Sequence, residues 1–131
     1  MSVGSFDPNA RAELDDDAIA ELLAAAARLE QPRFGLAEDR IGALAGLARH
    51  DGACDWAQAA ARLDDAGLLA LARFFTLAER LPGWEAGPRS PVVVLVAELK
   101  SRDAYPAELT AWIKANTSNR FLPYGSLLDR L

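Results

Sequence analysis

The sequence predicts an all-α protein, a compact orthogonal or up-down bundle of roughly six helices around a central hairpin formed by residues 65–81 and 91–102. Three observations carry this. Apolar residues recur with the helical period along most of the chain. Asp, Ser or Pro stands where helices would begin. The one run that favours a strand, Val92-Val93-Val94, has no second strand to pair with.

Residues 1–14 show no clear period and read as a partly ordered acidic arm ahead of a single helical domain, 15–131. Asp15, Asp16 and Asp17 then offer an N-cap and further carboxylates to the positive end of a helix. Ile19, Leu22, Leu23, Ala26 and Leu29 form its inward stripe, and Gln31-Pro32 ends it. A second helix is predicted over about 37–49, with Ile41, Leu44, Ala45 and Ala48 inward and His50-Asp51-Gly52 as the stop. A third starts after Asp55 and buries Trp56, Ala59, Ala60 and Leu63. Helical phase permits either one helix over 55–81 or two, and Asp64 as a second N-cap favours a break there.

The first arm of the hairpin presents Leu68, Leu71, Phe74, Phe75, Leu77, Ala78 and Leu81 over a face wider than a surface helix needs, which makes it the central helix. Asp65, Arg73, Thr76, Glu79 and Arg80 remain as a polar stripe, and Leu69 within that stripe marks a candidate contact surface. Ser90-Pro91 supplies an N-cap and an N1 proline for the second arm, whose stripe is Val92, Leu95, Val96 and Leu99. The β-branched run is read as helix because Ala97-Glu98-Leu99-Lys100 continues with good helix formers. Tyr105-Pro106 introduces a short helix to about Asn116 with Leu109, Trp112 and Ile113 on its apolar face. Asn116 shares that face and needs a hydrogen-bond partner, for which backbone groups of the loop 82–89 are the expected source. Asn116-Thr117-Ser118-Asn119 prefers turns, and a last helical turn is predicted after Ser126. The even spacing of Trp56, Trp84 and Trp112 is not a repeat, since the flanking residues do not match.

A chain of 131 residues can bury an adequate core without a metal or a disulfide, and its single cysteine, Cys54, can form no internal bridge. The acidic N-terminus lacks an apolar signal region and no apolar run approaches the length of a bilayer span, so a cytoplasmic protein is expected. Residues 1–70 hold 6 basic and 13 acidic side chains, 71–99 hold 3 and 3, and 100–131 hold 5 and 3, giving the net −5. That balance repels polyanions and argues against nucleic acid as a partner.

Motifs for catalysis are weak. His50 and Cys54 are four apart with Asp51 and Asp55 nearby, but Gly52 interrupts the helix that would align them. One His and one Cys are too few for a zinc site, and helix capping accounts for 15–17 and for Asp64-Asp65 better than a magnesium site does. The sequence has no phosphate-cradling loop, no G-x-S-x-G and no H-E-x-x-H, so no cofactor and no catalytic residue is assigned.

Two irregular stretches hold more Trp, Arg and Tyr than packing requires. They are the loop 82–89, with Trp84 and Arg89, and the tail 116–124, with Asn116, Asn119, Arg120 and Tyr124. The short connection through Asp103 and Tyr105 is expected to bring loop and tail together as one surface, on which Trp84→Ala and Arg120→Ala would weaken capture of a partner at little cost in stability. The reading is a non-catalytic protein-protein interaction or adaptor domain, with a protein partner or self-association and no membrane or metal. Its rivals are a nucleic-acid-associated regulator using Lys100, Arg102, Lys114, Arg120 and Arg130, and a small-ligand binder or enzyme with a pocket between the Trp84 loop and the tail.

Overall fold

A computed structural model of the protein describes residues 14–50, 55–119 and 122. The described residues form six α-helices and three short 3-10 turns, with no strand among them. The arm, save Leu14, lies outside the described residues, as do Cys54, Arg120, Tyr124 and the turn predicted after Ser126.

Helix α1, Asp16–Ala26, starts where the Asp15 side chain accepts the Ala18 amide at 2.8 Å. It stops short of the expected boundary. Its last turn tightens into i→i+3 bonds, Ala27 to Ala24 and Arg28 to Ala25, because Gln31 must be extended ahead of Pro32. The 3-10 turn Pro32–Gly35 that follows holds Arg33, Phe34 and Gly35 in the left-handed region, at φ of 53°, 57° and 71°. Gly35 is favoured there on two counts: its φ suits glycine, and a Cβ would displace the Arg28 side chain, which donates to the Phe34 carbonyl. The strain at Phe34 is repaid by burial of its ring edge-on to Phe74, centroids 5.1 Å apart.

Helix α2 covers Glu38–Leu44 and gives way to a 3-10 turn at Ala45–Leu47, so the single helix predicted over 37–49 is shorter and tightens at its end. Trp56 explains part of this. Its indole N–H takes the Leu47 carbonyl at 2.7 Å, a group freed where the α-helical ladder ends. Helices α3, Trp56–Arg62, and α4, Asp65–Ala78, are separate: Leu63 is extended, and the Asp64 carboxylate caps α4 by accepting the Gly67 amide at 2.7 Å. The Val92-Val93-Val94 run is helical within α5, Pro91–Ser101, with Ser90 as its cap. Helix α6 spans Ala107–Asn116.

The α4/α5 hairpin is the centre of the fold, with α1 and α6 against α4 and α3 against α5. Phe74, Phe75, Leu95 and Leu99 are 2 % exposed or less, in keeping with both predicted stripes. Phe74 sits edge-on to Phe34, Phe75 and Trp84, and Phe75 in turn to Trp56, so one aromatic cluster joins α3, α4, the turn 32–35 and the loop 82–89. One assignment is reversed. Thr76, placed in the polar stripe of α4, is buried, with its hydroxyl donating to the Ala72 carbonyl at 2.7 Å, so it needs no water.

Arg102 ties three helices together. Its guanidinium donates to the Ala60, Ala61 and Leu63 carbonyls at the end of α3, to Asp65 at the start of α4 and to Glu98 on α5. No helix among the described residues is long and apolar enough to cross a membrane.

Candidate functional site

The tail and the loop do meet. Helix α6 delivers residues 117–119 against the last turn of α4, where the Thr117 hydroxyl donates to one oxygen of Glu79 at 2.9 Å and the Asn119 amide to the other at 2.7 Å. The same Asn119 amide reaches the Gly87 carbonyl at 2.9 Å, so one side chain ties the tail to both α4 and the loop 82–89. Leu122 is fully buried and belongs to the core. Between these parts lies a cleft of about 640 Å³, with Thr76, Glu79 and Arg80 on one wall, residues 115–119 on the other, and Glu85 and Gly87 at the end.

Three predicted site residues behave differently from expectation. Trp84 is 1 % exposed and its indole N–H donates to the Ile41 carbonyl at 3.0 Å, so it pins the loop to α2 and presents nothing to a partner. The expectation that Trp84→Ala costs little stability is overturned with it. Asn116 meets its hydrogen-bonding need within its own helix, donating to the Trp112 carbonyl at 2.8 Å, and takes nothing from the loop backbone. Arg89 is exposed but outside the cleft lining, and its carbonyl accepts the His50 amide at 2.7 Å. Leu69 is half-buried on α4 and packs against the core. Arg120 and Tyr124 lie outside the described residues.

Trp112 is the residue sequence reasoning undervalued. Trp56 and Trp84 are buried and hydrogen-bonded, whereas Trp112 is half-buried, and its outer ring lies under the Arg73 guanidinium, 5.8 Å from centroid to Cζ. Among the described residues no acceptor meets its indole N–H. The available signal was the i, i+4 relation of Trp112 to Asn116, which sets the ring at the edge of the α6 apolar face.

Compared with protein-family models, curated proteins and solved structures, the chain matches none.

The site's chemistry is therefore read from its groups alone. The cleft walls carry carboxylates, a guanidinium, amides and the exposed Ser118 hydroxyl, with no imidazole or thiol among the described lining residues to serve as a base toward a hydroxyl. Both oxygens of Glu79 are engaged, so its role is to set the wall. Arg80 is open: its Nη2 lies 3.5 Å from the Asn116 carbonyl, at the limit of a hydrogen bond. Among the described residues no group of three His, Cys, Asp or Glu side chains is disposed to hold a metal ion.

The basic patch fares worse. Arg102, its second member, has its guanidinium committed to acceptors on three helices, and the Lys100 ammonium stands over the Tyr105 ring at 4.9 Å. Of its other members, Lys114 is exposed on α6, and Arg120 and Arg130 lie outside the described residues.

Proposed function

We propose that this chain is a non-catalytic protein-interaction module whose contact face follows the outer side of α4, from Leu69 past Arg73 and Trp112 to the cleft at Arg80. The observation that carries the reading is Trp112, the one tryptophan of three left half in water, capped by an arginine and continuous along α4 and α6 with a polar cleft. Trp and Arg dominate binding energy at protein interfaces, since a large ring and a planar cation offer much contact for little conformational entropy. The cleft's size would admit a small ligand, but its walls are as polar as they are apolar, unlike the mostly apolar sites that retain small molecules. The lone cysteine suits a reducing compartment, so the cytoplasm is the proposed location, which recovery of the protein in another cell fraction would overturn.

A photo-crosslinking side chain at Ser118, and at Gln58 on α3 as control, tests the reading in lysate of the cells that make the protein. Discrete adducts should form from Ser118 alone and fade in the Leu69→Glu and Arg80→Ala variants, with thermal melts unchanged. Equal adducts from both positions, or adducts indifferent to both variants, would refute it.

A further inference from the structure

Charge pairing on the α4 face is incomplete in a way that describes the partner. Arg40, Arg62 and Arg102 each have a carboxylate within 3.6 Å, in a chain with 19 acidic and 14 basic residues. Arg73 and Arg80 have none among the described residues, and neither do Arg28, Arg33, Arg49 and Arg89, but Arg73 and Arg80 are the two that share one side of the central hairpin arm. Arg73 goes further, holding its Nε out of water with no acceptor while the guanidinium rests on Trp112. Glu79, next to Arg80 in sequence, is turned to Thr117 and Asn119. Arg73 in α4 and Arg80 in the turn that follows it are seven residues apart, about 10 Å at the helical rise, and Leu69 and Leu77, both half-buried, continue the same side of the helix.

We infer that this stripe receives an acidic amphipathic segment of a partner protein, with two carboxylates about 10 Å apart on Arg73 and Arg80 and apolar side chains against Leu69, Leu77 and Trp112. The inference rests on the reading of this face as the interaction surface. A guanidinium with unused donors above an indole favours a carboxylate, which it can grip with two parallel bonds. Nucleic acid fits less well, because leucines and a half-buried indole give a phosphate backbone nothing to bond, whereas an amphipathic peptide can set apolar side chains on them. A second copy of the chain fits least, since a two-fold contact through this stripe sets arginine against arginine.

The test selects random 16-residue peptides displayed on phage against the full chain and measures the winners, synthesised with a fluorescent label, by anisotropy. The winners should alternate Asp or Glu with Leu, Phe or Trp, and should weaken about tenfold with Arg73→Gln and again with Arg80→Gln. Arg73→Glu should restore binding to a peptide whose facing carboxylate is changed to lysine. Winners that are neutral or basic yet lost with Leu69→Glu would leave the face standing and remove its acidic partner. No winners, or winners indifferent to Leu69→Glu and Arg73→Gln alike, would remove both. A single-stranded 20-nucleotide DNA that binds more tightly than any peptide, or a concentration-dependent dimer abolished by Arg73→Gln, would overturn the inference in favour of nucleic acid or a second copy.

Discussion

Trp84 separates a structural role from a binding role by one substitution. Its ring is 1 % exposed and lies edge-on to Phe74 at 5.8 Å, and its N–H donates to the Ile41 carbonyl at 3.0 Å. Deleting a buried ring of this size costs about 3–5 kcal/mol, and a net hydrogen bond is worth about 1 kcal/mol. Trp84→Ala should therefore lose roughly 4 kcal/mol, a large share of the 5–15 kcal/mol typical of a domain. Trp84→Phe, which keeps most of the ring and gives up the N–H, should lose about 1–2 kcal/mol. Urea denaturation followed by far-ultraviolet circular dichroism measures both; at a slope near 2 kcal/mol/M the Ala variant should shift the midpoint by about 2 M. A shift below about 0.5 M for Trp84→Ala would show that the ring is not holding the loop to α2, and the burial argument would fail.

Phe74→Ala, at the centre of the aromatic cluster, should also lose about 3–5 kcal/mol in the same assay, and a loss under about 1 kcal/mol would contradict the packing. Asp64→Ala removes the cap on the Gly67 amide and should cost about 1 kcal/mol, whereas Asp64→Asn should cost less; identical losses would show that the cap bond is not the cause. The hydrogen bond from Arg40 holds the Glu21 carboxyl below the usual glutamate value. Its contribution is thus complete above that usual value and disappears as pH falls through the lowered one. Between about pH 5 and pH 3 the wild type should lose more stability than Glu21→Gln, and parallel pH profiles would refute the linkage.

Helix starts were legible because their causes are local. Asp15, Asp55, Asp64 and Ser90 each accept an amide two or three residues on, a relation visible in any linear reading. Helix ends were less so: α1 ends before Gln31-Pro32 and α2 tightens at Ala45, since Leu47 answers to Trp56, nine residues away. The site was half legible. The meeting of loop and tail was expected from the short α5–α6 connection, but α6 reaches the loop by packing on α4, with Asn119 tied to Glu79 as well as to Gly87. Trp84 misled because a tryptophan among prolines and glycines looks accessible until the loop's docking onto Ile41, forty-three residues earlier, is known. Arg102 misled for the same reason, looking like a surface cation while its acceptors lie up to 42 residues upstream.

That distance has a consequence for the order in which the molecule can be completed. Synthesis runs from the N-terminus at about 5–20 residues per second, so the guanidinium that seals α3 arrives roughly 2–8 s after Ala60 has been added. A helix of seven residues is far below the length that persists alone in water. Until Arg102 is in place, the α3 segment lacks the donors that close its C-terminal carbonyls, and Trp56, Ala59 and Ala60 lack α5 to cover them. The N-terminal half is thus committed to wait for the second arm of the hairpin, and a stall in synthesis between Leu63 and Arg102 would leave its tryptophan face open to whatever else the cell supplies.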